Sequence, residues 1–311
     1  MDILAISGRI KSLEKRFLTS GEMAGIIRSR TFNELAAMLA SSRYRIPQNV
    51  TKSGELFSVF EDSAAELVEE MRKNLPVSLF RYFLLGYDYH NLKIICGIPS
   101  NGNEEGNYSA HSYVDHETMK RAFREKNNTG IPDYLKPAIT IMSGKKDDGM
   151  LSLQLKKEYY SAASGLLEKT RSRFVKNYLR IEIDFANIAT FIQEDIAGLE
   201  KGDVEMFMDG GRIRKERFSA GEVLWKAVDT AYRGLVATPV TAEDYDIARY
   251  GALMAHIRKG RVVPFGIETI FAYFAGRQIE LDNVRRIVTG RFYDVSQDVL
   301  SLWAIPPYQY V

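Results

Sequence analysis

One short motif recurs three times along this chain at a shift of about 96 residues, and that regularity limits its possible folds more than any other feature. An acid is followed three positions later by Asn and then by an aliphatic residue: Asp88, Asn91 and Leu92; Asp184, Asn187 and Ile188; Glu280, Asn283 and Val284. The aromatic positions Tyr82, Tyr178 and Phe274 upstream keep the same register, as do Ile95, Phe191 and Ile287 downstream. On a helix, residues three apart are neighbours, so each acid would sit beside its Asn with the apolar positions on an adjoining stripe. The repeat predicts three similar multihelical domains, 1–102, 103–198 and 199–311, the last ending in a carboxy-terminal tail. Asp88, Asn91, Asp184, Asn187, Glu280 and Asn283 are its structural residues. Each unit is expected to hold short helices followed by a long one, over about 55–96, 152–194 and 241–290, with breaks at Pro76 and Pro264.

Local signals agree on an all-α class. Alternating apolar and polar runs are scarce, and Val and Ile sit among Ala, Leu, Glu and Lys, which favour helix. Ser or Thr followed three residues later by an acid can cap a helix start, and such pairs occur at Thr19 and Glu22, Thr31 and Glu34, Ser219 and Glu222, and Thr241 and Asp244. Gly, Asn and Pro mark turns at 98–107, 127–137, 143–149, 209–211 and around Pro239 and Pro264.

With 311 residues and 45% hydrophobic content the chain can bury a substantial core, and its charges nearly cancel at +2, so no field for nucleic acid is indicated. Charges interrupt the first residues, MDILAISGRIKSLEKRF, too often for a secretory signal. No apolar stretch approaches the roughly 18–20 residues of a membrane span. Cys96, the single cysteine, has no thiol partner; it reads as a small core residue in a reducing compartment.

Reactive chemistry is harder to find. The Gly-Lys pair in SGKKDD at Ser143 lacks the flanking residues of a phosphate-binding loop, and Gly210-Gly211-Arg212 is too short for a dinucleotide fingerprint. His111 and His116 are five residues apart, off the four-residue spacing that puts two metal ligands on one helical face. Adjacent acids such as Glu69 and Glu70 point in different directions on a helix. No catalytic, cofactor-binding or metal residue is assigned, and no cofactor is expected. The segment containing Met206, Met208, Arg212, Arg214, Lys215 and Arg217 combines soft apolar and basic residues, and reads equally as a solvated turn or a partner contact. The apolar end from Trp303 packs back on the body or docks on another protein.

The run Tyr87-Asp88-Tyr89-His90-Asn91-Leu92-Lys93-Ile94-Ile95 resembles the C subunit of the prokaryotic V/A-type ATPases, related to the d subunit of the eukaryotic vacuolar enzyme. The segment from Pro264 to Ile287, with Gly266, Glu268, Glu280 and Asn283, is similar to the family's carboxy-terminal helix pair, and the triple repeat extends the likeness over most of the chain. The resemblance implies three helical domains around a pseudo-threefold axis, forming a funnel-like body. It implies a non-catalytic, peripheral component on the cytoplasmic face of the membrane. That component would join central-stalk subunits to the membrane proteolipid ring and pass torque between them for ATP-coupled proton or sodium transport. The alternative is a helical interaction scaffold unrelated to the ATPase.

Overall fold

The computed structural model describes residues 2–97, 108–142, 148–196 and 204–308. Among them every regular element is helical and there is no strand, so the chain is all-α. In order the helices are α1 (Ile3–Leu13), α2 (Ser20–Arg28), α3 (Phe32–Leu39), α4 (Ser53–Asn74), α5 (Val77–Ile95), α6 (His116–Glu125), α7 (Lys136–Met142), α8 (Asp148–Leu167), α9 (Arg173–Ile196), α10 (Gly221–Ala231), α11 (Tyr245–Arg261), α12 (Ile267–Phe292) and α13 (Gln297–Trp303). None is long and apolar enough to cross a membrane. The turn expected at 98–107 and most of that at 143–149 lie outside the described residues, as do the first two expected unit ends near 102 and 198.

The proline breaks fall as the chain chemistry predicts. Pro76 is the N-cap of α5, two residues beyond the end of α4, and Pro264 lies between α11 and α12. The uninterrupted helix expected over 152–194 is instead two, α8 and α9. Residues 168–172 hold neither Pro nor Gly, but the amides of Glu168 and Thr170 turn back to Gly165 and Leu167 carbonyls, and the Ser172 hydroxyl accepts from Val175 N at 3.3 Å. Short hydroxyl side chains here outcompete the helical ladder.

Thr19 and Glu22 form the full reciprocal box at α2, and Thr31 caps α3 through Glu34 N at 3.2 Å. The other two pairs differ from expectation. Thr241 binds Asp244, yet α11 starts after Asp244 itself, and Ser219 ends a 3-10 turn, leaving Ala220 as an N-cap that offers no side-chain acceptor to α10.

By contacts the chain groups into two compact units. In the unit Leu75–Leu179, α5 packs against α8 and α6, while α7 packs against α6 and α8. Helix α5 is apolar around most of its circumference: Leu79, Phe80 and Tyr82–Leu85 are all buried, as fits a helix enclosed by others.

The second unit, Met1–Asn74 with Arg180–Val311, is built on α12, which contacts α1, α3, α4, α11 and α13. Phe271 through Ala275 have no exposed surface, and nearly every residue from Thr269 to Arg291 is buried or half-buried. Such close enclosure demands small residues where large neighbours press in. A Cβ on Gly276 would lie 2.7 Å from Tyr308 Cδ2 and 3.3 Å from Phe17 Cζ, two rings that stack at 4.3 Å over it. Gly276→Ala is therefore expected to lower stability by about 1–3 kcal/mol through overpacking. Urea unfolding checks this, and an unchanged midpoint would mean that the Phe17 and Tyr308 stack shifts freely.

Candidate functional site, three acid and asparagine clamps

The six repeat residues lie on three helices: Asp88 and Asn91 on α5, Asp184 and Asn187 on α9, Glu280 and Asn283 on α12. None is more than 3% exposed. A buried primary amide must find both donors and acceptors, and each Asn finds them in the backbone of a single residue. Asn91 Oδ1 accepts from Ser109 N at 2.8 Å while its Nδ2 donates to Ser109 O at 3.0 Å. Asn187 brackets Met208 at 2.8 and 2.9 Å, and Asn283 brackets Ile305 at 3.0 and 2.9 Å. The captured residue lies 18, 21 and 22 positions downstream. Only an amide offers a donor and an acceptor in that side-by-side geometry, since Asp lacks the donor and Leu lacks both.

Each acid takes a backbone amide and a tyrosine hydroxyl. Asp88 Oδ1 accepts from Val114 N at 3.1 Å, and its Oδ2 from the Tyr134 hydroxyl at 3.0 Å. Asp184 Oδ1 accepts from Ile213 N at 3.0 Å, and its Oδ2 from Arg212 N at 3.1 Å and the Tyr232 hydroxyl at 2.5 Å. Glu280 Oε2 accepts from Leu18 N and Oε1 from the Tyr44 hydroxyl, both at 2.8 Å. Here buried Arg277 adds its charge: Nη1 lies 3.5 Å from Glu280 Oε1 and donates to the Tyr44 oxygen at 3.2 Å. The chain can approach Asp184 because position 211 is glycine; a Cβ there would lie 2.1 Å from Oδ1.

Burial pushes the Asp88 carboxyl up to about 7, against the pull of the Val114 amide, the Tyr134 hydroxyl and the Arg81 charge. It pushes Asp184 up to about 6 and raises Glu280, whose shift the Arg277 charge opposes. The tyrosines rise too, from burial first and then from the carboxylate beside them.

The segment of soft and basic residues turns out to be the stretch held by the second clamp. Met208 is the bracketed residue and its side chain is buried, so it is not part of an exposed surface; Met206 is half-buried. Arg212 gives its amide to Asp184 and sets its guanidinium 5.5 Å from the Tyr232 ring centre. Lys215 reaches Asp209 at 3.3 Å, and Arg214 and Arg217 are exposed. Elsewhere, His116 stacks on Tyr108 at 4.4 Å and Asp115 caps α6 through Thr118 N. Cys96 is half-buried rather than a core residue.

The tyrosines Tyr44, Tyr134 and Tyr232 are not legible from the repeat, because loop lengths between clamp and hydroxyl drift. Leu18 and Val114 do keep the repeat spacing, and that register is the signal that could find them.

An all-helical chain whose repeated polar residues bind its own backbone has the character of a structural component, and comparison with known proteins supplies the family. Residues 6–301 match the model of the ATP synthase (C/AC39) subunit family, and the chain belongs to that family, the non-catalytic C subunits of the V/A-type rotary ATPases. It is similar to the A-type ATP synthase C subunit of Methanosarcina acetivorans, 26% identical over 254 residues that cover 72% of this chain and 68% of the relative. A second similar protein is the A-type ATP synthase C subunit of Haloferax volcanii, 24% identical over 157 residues, 46% of this chain and 45% of that one.

Two consequences can be measured. Asn187→Ala would strand the amide and carbonyl of Met208 in the core and is expected to cost about 2–4 kcal/mol in denaturant unfolding. Asn187→Asp should cost no less, since an oxygen would then face the Met208 carbonyl; wild-type stability in both would refute the bracket's importance. The second concerns pH. A carboxyl that ionises near 3.9 when unfolded and near 7 at Asp88 binds its proton more tightly in the folded chain. Its stabilising contribution is full below about pH 4 and is lost as pH rises through about 7, a change of a few kcal/mol. Asp88→Asn should flatten that slope in unfolding curves taken from pH 4 to 8, and identical slopes would remove Asp88 as its source.

Proposed function

We propose that this chain is the non-catalytic coupling element of a rotary V/A-type ATPase, seated on the cytoplasmic face of the membrane as a peripheral component. It joins central-stalk subunits to the membrane proteolipid ring and transmits torque for ATP-coupled proton or sodium transport. In this reading the units 1–102, 103–198 and 199–311 are three similar domains arranged around a pseudo-threefold axis as a funnel-like body. Asp88, Asn91, Asp184, Asn187, Glu280 and Asn283 hold those domains in shape, and the exposed Arg212, Arg214 and Arg217, with Met206 and Lys215, are candidate partner contacts.

The observation that carries the reading is the family match over residues 6–301. The clamps support it physically. A connector that passes torque must resist deformation, and close-packed helices pinned to their loops by buried two-point hydrogen bonds yield less than a loosely held chain.

Capture of the native complex through an antibody to this chain is expected to bring down the stalk subunits and the proteolipid ring. Their consistent absence would favour the unrelated scaffold. ATP hydrolysis by the purified chain alone, abolished by a point substitution, would overturn the non-catalytic assignment.

A further inference from the structure

The first two clamps hold chain that follows soon after. Asp88 takes an amide 26 residues downstream and a hydroxyl 46 downstream, and Asp184 takes them 29 and 48 downstream. The third breaks this rule. Asn283 still brackets the tail at Ile305, but Glu280 reaches back 262 residues to Leu18 and 236 to Tyr44.

Residues 14–17 and 307–308 also meet there. Phe17 stacks on Tyr308, and the Tyr308 hydroxyl donates to Glu14 Oε1 at 3.0 Å. Arg258 holds the Pro307 carbonyl, Lys11 holds that of Arg261, and Arg291 Nη2 donates to Ile27 O at 3.3 Å. For α12, then, the first 44 residues play the part that the following chain plays for α5 and α9.

We infer that the clamps follow a cyclic order in which residues 17–44 are a strap, taking at the third clamp the place that the following chain takes at the first two, closed on α12 by Glu280 and able to open apart from the other two clamps. This rests on hydrogen bonds within the chain, so it stands or falls separately from the ATPase reading. For an otherwise free chain the loop that Glu280 closes, about ten times longer than the one Asp88 closes, is roughly thirtyfold less probable from chain entropy; α1 and α4, which flank the strap and pack on α12, shorten the effective loop and reduce that factor. Arg277 and the extra methylene of Glu over Asp fit a clamp that must capture a distant segment.

Residue-level amide hydrogen exchange on the full chain tests the strap. Leu18 N–H is expected to exchange at least tenfold faster than Val114 and Ile213 N–H, the equivalent clamp donors. Glu280→Gln should speed Leu18 about a further tenfold while leaving Val114 and Ile213 within twofold of wild type. Exchange at Leu18 no faster than at the other two, or a substitution that speeds all three alike, overturns the inference. In a second arm the chain is opened between Gly102 and Asn103 and residues 311 and 1 are joined through a flexible linker. The order is expected to invert, with Val114 the fastest of the three. A permutant without native helix content, or with Leu18 still the fastest, would refute the equivalence of the clamps.

Discussion

A primary amide buried on a helix must find partners for its donor hydrogens and its acceptor oxygen without water, and Asn91, Asn187 and Asn283 each satisfy the oxygen and one donor by gripping both polar groups of one backbone residue. The interaction is reciprocal in its penalties. Losing the amide strands two backbone groups in the core, and losing the captured segment strands the amide. Loops that would otherwise wander are thereby tied to buried faces of α5, α9 and α12. The carboxylate one helical turn earlier adds a second grip, through an amide and a phenol. In the first two clamps the two side chains together fix both the position and the direction of the segment they hold, whereas on α12 they tie two segments, Asn283 the one at Ile305 and Glu280 the one at Leu18 and Tyr44.

This dependence explains the composition of α12. A helix contacted by α1, α3, α4, α11 and α13 shows solvent only a narrow polar stripe around Asp282, Arg285 and Arg286, yet it also carries Arg277, Glu280, Asn283 and Arg291 in buried positions. Glu280, Asn283 and Arg291 reach chain outside the helix, and Arg277 reaches Tyr44. The polar groups are therefore cross-links rather than defects, and the glycines at 276 and 290 make room for the residues being linked. At Gly290 a Cβ would lie 2.6 Å from Leu300.

How far the sequence discloses this depends on whether a signal is local. Pro76 and Pro264 break helices wherever they stand, and both breaks are legible. The gap between α8 and α9 is not, because it is made by ordinary residues whose hydroxyls and amides turn the chain only in this context. The acids and asparagines stand out through strict register on helices, where each residue occupies a fixed rise. Their partners lie in loops, whose lengths vary from unit to unit, so Tyr44, Tyr134 and Tyr232 drift out of register and escape notice. Met208 shows the opposite error: a methionine beside a basic run suggests a surface, while its backbone is in fact the object of a clamp.

The acids also show why a shifted pKa is not by itself a sign of catalysis. Asp88 and Asp184, raised to about 7 and about 6, have values that a general acid or base would need near neutrality. Burial is the first cause in each case, and what distinguishes them from reactive groups is occupancy. Both oxygens of Asp88 and Asp184 already accept from an amide or a phenol, and neither side chain has accessible surface. To meet a substrate, such a carboxylate would first have to release the segment it holds, dismantling the fold that positions it. The same chemistry that would suit proton transfer in an open cleft becomes, in a closed and fully bonded one, a means of holding the chain in place.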